Sequence, residues 1–237
     1  MTEFPKRWVA CFDILGFQSL SEKEKPEYVL EIYNKALQAS INELKLPEKA
    51  GIQIGRWHFS DTFVFYSVDD EGPSYTWIQS IAKNFIRGCL SGDPIIPFRG
   101  AIACGEFYAD HEKNIYFGKA FIEAYKEAEA QNWIGLILTK TAKERIRKYN
   151  PSPNPARHQF PVVDVPMKTK YPTTMFTSKH PAYSFHAETI DQTSLIRVLE
   201  GIILRVDDKV KIKYQNTIDH IKRIAPRVGK LVPQRVS

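Results

Sequence analysis

The sequence predicts an α/β (α+β) chain, with a βαββαβ core and a C-terminal extension. Three observations carry that expectation. A continuous apolar run, Trp8 to Phe12, reads as a buried strand. Two further runs, Ile52 to Phe59 and Thr62 to Val68, flank Ser60-Asp61 and read as a β-hairpin. Helical stripes precede and follow that hairpin, so strands and helices alternate in the ferredoxin-like order.

The elements follow in turn. The first strand ends in a single carboxylate, Asp13, and the chain turns through Gly16. Pro26 to Leu44 carries apolar residues at 28, 29, 32, 33, 36, 37, 41 and 44, a helical stripe with proline at its start. After the hairpin, Ser74 to Leu90 returns to helical spacing until SGDP (91–94) breaks it. Residues 97–108 form a strand interrupted by Gly100 and Gly105, and Ile115 to Phe117 is expected to pair back onto it. A helix runs from Gly118 to about Ala130, Trp133 to Leu138 is a strand, and Thr139 to Tyr149 is a charged helix. The Pro-rich segment 151–181 reads as an extended arm low in regular structure, with helices at 188–204 and about 207–225. The expected organisation is a core over 1–150, and a Pro-rich arm with a basic helical extension over 151–237, packed on that core.

Composition narrows the class. At 43% apolar and 25% charged residues, the 237-residue chain matches a soluble globular protein. It contains no apolar run near the ~18 residues needed to cross a bilayer, and MTEFPKRW lacks a signal-peptide core. Cys11, Cys89 and Cys104 show no CxxC spacing and read as reduced core residues, which implies a cytoplasmic protein. The six histidines form no zinc-binding pattern. Residues 209–237 hold eight Lys/Arg against Asp219, a net +7 that leaves residues 1–208 near −1. Such a tail suits nucleic acid or a membrane surface, but without interleaved aromatic residues the preferred reading is a solvated helix.

Asp13 and Asp61 are the candidate metal ligands. In a βαββαβ sheet the first strand and the hairpin are neighbours, so the two carboxylates can converge. Such a pair facing a triphosphate could hold two divalent cations, Mg²⁺ or Mn²⁺. Taken alone, Asp13 fits a turn cap equally well. Arg99 opens the strand after the second helix with a fork suited to phosphate; alone, it fits a surface salt bridge. Arg56 and His58 alternate to the face opposite Trp57. Glu106, Tyr108, Asp110 and Glu112 read as a solvated loop, and Tyr125 as helix packing.

FDILGF (12–17), FSDTFVFYS (59–67), RGAIACG (99–105) and FGKAFIEAYKEAE (117–129) together resemble a class III nucleotidyl cyclase catalytic domain, over residues 8 to about 138. The resemblance implies metal binding by Asp13, the Ile14 carbonyl and Asp61, with Arg99 neutralising the triphosphate. It implies transition-state charge from Lys126, and a substrate pocket drawn from Trp57, Ile115, Phe12, Gly16 and Phe17. It further implies a homodimer whose sites lie at the interface, Trp57 and Lys126 coming from the partner protomer.

The departures from the family are specific. Trp57 stands where purine cyclases keep a base-reading Lys, and Ile115 where they keep an Asp. Ile122 and Lys126 replace the family's Asn and Arg. The combination is similar to the bacterial pyrimidine cyclases of the Pycsar anti-phage system. That likeness implies conversion of UTP to 3′,5′-cyclic UMP and pyrophosphate, the product acting on a separately encoded effector. The alternatives are a cytidylate cyclase, a purine cyclase with an altered pocket, and a non-catalytic cyclase-like binding module.

Overall fold

The computed structural model describes residues 4–149, 162–168, 176–183, 192–204 and 206–228. Its centre is a sheet whose interior strands are β1 (Lys6–Ile14), β3 (Thr62–Ser67), β4 (Phe98–Glu106) and β7 (Gly135–Leu138). With β2 (Ile54–Phe59) at one edge and the hairpin β9 (Phe176–Tyr183) and β8 (Val162–Met167) at the other, the order is β2-β3-β1-β4-β7-β9-β8. The first four, β2-β3-β1-β4, are antiparallel throughout and reproduce the expected ferredoxin-like order. β7 then joins β4 in parallel.

Side-chain alternation along β1 sorts the two layers. Trp8, Ala10, Phe12 and Ile14 face the layer containing α4 (Gly72–Leu90) and α2 (Pro26–Asn42). Phe12, Phe63 and Phe98 each meet Phe85 of α4 with ring centroids 4.9–5.6 Å apart, the packed centre of that layer. Val9 and Cys11 face the opposite layer, where α5 (Lys119–Ala130) buries Ala120, Ala124 and Ala128. Small residues every fourth position let the helix axis approach β1 and β4 closely. Gly118 starts α5 at φ 152°, and a Cβ there would sit 2.3 Å from the Glu106 carbonyl oxygen, so only glycine fits.

Several elements differ from expectation. The chain after Gly16 forms a separate helix, α1 (Phe17–Lys23), and a short α3 (Lys45–Lys49) follows α2. Their stripes are too short to stand out. β6 (Ile115–Phe117) does pair back, with Phe117 opposite Tyr108, but onto a separate strand, β5 (Tyr108–Asp110), in its own two-stranded sheet rather than onto β4. The Pro-rich segment contributes β8 and β9, which extend the central sheet, so these described parts of it are regular strand rather than the expected irregular arm. Pro166 lies on the edge strand and Pro181 near the end of β9, places where a missing N–H is tolerated. The PSPNP and YPTT stretches and the last nine residues lie outside the described residues. After α6 (Lys140–Tyr149) and the arm, α7 (Gln192–Ile203) and α8 (Asp208–Val228) pack into the α4-side core through Leu195, Leu199, Val210, Tyr214, Ile218 and Ile221. The three cysteines are free and buried. Among the described residues no helix is long and apolar enough to cross a membrane.

Candidate functional site

Asp13 is the last α5-facing residue of β1, and its cross-strand partners are Thr62 on β3 and Arg99 on β4. The β2–β3 turn is held against that strand end by the Ile14 N–H, which donates to the Asp61 carbonyl at 3.1 Å. Ser60 takes the positive φ (52°) the tight turn needs. The result is two neighbouring carboxylates, Asp13 and Asp61, close enough for the charge of one to act on the other. Burial pushes the Asp13 pKa up to about 6 despite the nearby Arg99 charge, and Asp61 adds to the rise. An adjacent pair of hard oxygen donors with one member destabilised as an anion fits Mg²⁺ or Mn²⁺, which take few protein carboxylates and complete their shell from phosphate and water. Among the described residues no cluster of three or more His, Cys, Asp or Glu could hold an ion unaided. Mn²⁺ at about 100 times its dissociation constant should therefore stabilise the fold by about 2.7 kcal/mol, and Asp61→Asn should lose most of that thermal shift. A wild-type melting temperature indifferent to Mn²⁺ would contradict the assignment.

Arg99 requires a correction. Its Nε donates to Asp13 Oδ2 at 2.8 Å, and its Nη2 lies 2.6 Å from the same oxygen. Its Nη1 donates to the carbonyls of Glu129 (2.8 Å) and Gln131 (3.4 Å). The side chain is 8% exposed. Most of its donors are thus occupied by protein acceptors, and it fixes Asp13 and the α5–β7 loop rather than standing free for a triphosphate.

The proposed pocket residues separate into groups. Trp57 on β2 stacks on Tyr116 (centroids 4.8 Å, 19°) and meets Phe121 edge-on at 5.5 Å. Tyr116 is itself braced by His111 Nδ1 at 2.7 Å, whose other ring nitrogen meets the Tyr66 hydroxyl. Arg56 and His58 point the other way, to Ser40 and Tyr33 of α2. Ile115 is exposed beside Tyr116. Phe12 is wholly buried in the aromatic core and cannot touch a substrate. Phe17 packs on Tyr33 in that same layer. Gly16 takes φ 77° to start α1, and a Cβ there would lie 3.3 Å from Val210 of α8, so it serves the turn and this contact. Lys126 is exposed on α5, lining a shallow depression with Lys119, Ile122, Glu123 and Glu127, and is not brought to Asp13 within one chain.

Two residues that the sequence places in helix packing and in a solvated tail feel the charge of the carboxylates. Tyr125 lies one turn beyond Phe121 (centroids 6.1 Å). Burial, with the charges of Glu129, Asp13 and Asp61, pushes its phenol up. Lys213 of α8 is pushed down to about 8 by burial, then by Arg99 and Lys168, while Asp13 and Glu129 pull the other way. The alanine stripe of α5 is a sequence signal for which side Tyr125 flanks; Lys213 had none, because helix docking decides its position. A cavity of about 480 Å³ opens behind Leu15 and Gly16 against α8. Asp13, Asp61 and Arg99 do not line it, so it is not the candidate site.

Solved structures share this arrangement of elements. The guanylyl cyclase domain of the RhoGC fusion protein from the aquatic fungus Blastocladiella emersonii superimposes with a TM-score of 0.52 at 12% identity, covering 69% of this chain and 91% of that one. The catalytic core of a rhodopsin-guanylyl cyclase with converted specificity, in complex with ATPαS, gives 0.52 at 11% identity, over 76% and 96%. A bacterial light-regulated adenylyl cyclase gives 0.51 at 11% identity, over 84% and 99%. The fold is therefore the mixed α/β fold of class III nucleotidyl cyclase catalytic domains. No protein-family model and no curated protein matches the sequence.

Proposed function

We propose that this chain is a nucleotidyl cyclase that converts UTP to 3′,5′-cyclic UMP and pyrophosphate, as a signal in defence against phage acting through a separate effector. The observation that carries the cyclase reading is the Asp13–Asp61 pair at the ends of β1 and the β2–β3 turn, in a chain with the cyclase fold. Both aspartates, with the Ile14 carbonyl, would hold two divalent cations. The chemistry supplied by those ions is Lewis-acid activation of the ribose 3′-hydroxyl and charge neutralisation on pyrophosphate. In the reaction the 3′-oxygen bonds to the α-phosphorus, the bond to the β-bridging oxygen breaks, and the 3′-proton leaves to solvent. Arg99 holds the Asp13 carboxylate in one orientation throughout, so no reorganisation is needed as charge develops.

The homodimer reading is supported by large apolar side chains left exposed on two consecutive elements, Ile115 and Phe117 on β6 and Ile122 and Tyr125 on α5. Lys126 stands beside them, and a partner's α5 would bring it to the carboxylates.

The pyrimidine reading rests on Trp57 and Ile115. The indole, braced by Tyr116, narrows the pocket, and Ile115 offers no partner to a purine amino group. An unmatched buried polar group costs ~1–3 kcal/mol, so UTP or CTP is expected to turn over at least about tenfold faster than ATP or GTP. Competition among the four nucleotides measures this ratio directly, and Trp57→Ala should erode it. A purine product in excess would remove the pocket argument. The preference for UTP over CTP rests on the Pycsar resemblance alone. A second reading, a cyclase-like module that binds nucleotide without turnover, is favoured by Ile122, which is exposed and cannot hydrogen-bond where the family has an Asn. Nucleotide binding with no product from any of the four would select it.

A further inference from the structure

With Arg99 bound to Asp13 and to two carbonyls, its guanidinium is not free to meet a polyphosphate chain. Helix α8 brings a lysine to the same end of the sheet. Near its N-terminal end Val210 packs on Gly16, three residues after Asp13. Further along, Asn216 Nδ2 donates to the Asn132 carbonyl and Thr217 Oγ1 accepts from the Ile134 N–H, both at 2.8 Å. These contacts fix α8 across the end of β1 and the loop that Arg99 ties down. Residue 213 is three positions from Val210, three from Asn216 and four from Thr217, so it shares their face. Its position between these anchors sets its side chain toward the strand ends that carry Asp13 and Arg99. The residue is half-buried and, among the described residues, its ammonium has no hydrogen-bond or ion-pair partner. Lys168, which leaves β8 with its N–H on the Ala130 carbonyl and its Nζ 3.3 Å from Glu129 Oε1, adds a second cation at the same loop.

We propose that Lys213, with Lys168 beside it, binds the polyphosphate of the nucleotide, so that the C-terminal extension completes the active site of the cyclase. The proposal rests on the cyclase reading for its substrate and deepens it. An ammonium partly withdrawn from water without a direct ion-pair partner is costly, and a phosphate oxygen placed between Lys213 and the carboxylates relieves that cost. Part of the basic charge of residues 209–237 is then a substrate-binding feature rather than a solvated face.

The test uses the full chain and inorganic tripolyphosphate, titrated calorimetrically with Mn²⁺ present. Lys213→Met is expected to weaken binding at least tenfold and to raise KM for the nucleotide, while Lys213→Arg retains most of both. The urea midpoint of Lys213→Met should equal or exceed that of the wild type, because an unpaired half-buried charge is removed. If the Met variant fails to fold, the same titration with Lys213→Gln decides the point. Affinity and KM within twofold of wild type in a folded variant overturn the proposal, as does a wild type that does not bind tripolyphosphate. A wild type that binds tripolyphosphate through Lys213 yet makes no cyclic product leaves the proposal standing and overturns the cyclase reading. An active wild type with an unaffected Lys213→Met overturns the proposal and leaves the cyclase reading standing.

Discussion

Asp61→Asn is expected to lower cyclic-nucleotide formation by at least ~10³ while leaving the fold intact, a loss of ~4 kcal/mol of transition-state stabilisation. Asp61 is the cleaner of the two carboxylates to remove. It sits in a tight turn whose link to β1 runs through its backbone carbonyl, so the amide variant keeps that link and loses only the ligand charge. Asp13→Asn should be as inactive, but it also breaks a buried ion pair. The same variant tests the shared site. Mixed and re-equilibrated with inactive Lys126→Ala, Asp61→Asn should recover part of the activity, because a mixed dimer holds one intact site. No recovery after demonstrated subunit exchange would count against sites shared between protomers.

Arg99→Met is expected to destabilise the fold by about 1–3 kcal/mol at pH 7–8, since it leaves the buried Asp13 carboxylate unpaired and protonation of that carboxyl caps the cost. The sign of the pH dependence follows from the raised Asp13 pKa, about 6 against an ordinary 3.8, which rises further without Arg99. A carboxyl whose folded pKa lies above its unfolded one destabilises the fold fully above the folded value and not at all below the unfolded one. The deficit of the variant relative to wild type should therefore be large at pH 7–8 and shrink as the pH falls toward 4. Urea midpoints across that range measure it. A wild-type midpoint with only KM raised would instead assign Arg99 to the triphosphate.

The convergence of Asp13 and Asp61 was legible in the sequence because it depends on local rules. A buried strand ending in a carboxylate and a two-residue turn between strands of matched length leave one arrangement in a βαββαβ sheet. Arg99 was half legible: its strand position was evident, but its ion pair required knowing that it faces Asp13 across the β1–β4 ladder. Phe12 and Phe17 were assigned by motif to a pocket, yet strand alternation alone sends Phe12 to the face away from Asp13. The Pro-rich arm hid β8 and β9 because proline signals a break, and only the sheet edge shows why it is tolerated. Lys213 was beyond sequence reasoning, since a lysine on an amphipathic helix reads as solvated until the helix is docked.

The proposed reaction closes a ribose phosphate ring at the Asp13–Asp61 centre. The most direct measurement incubates the protein with each of the four nucleoside triphosphates and Mn²⁺, and identifies the products by chromatography and mass. The expected products are a 3′,5′-cyclic pyrimidine mononucleotide and pyrophosphate in equal amounts from the wild type, and neither from Asp61→Asn. Absence of a cyclic product from every nucleotide, or equal yield from Asp61→Asn, would contradict it.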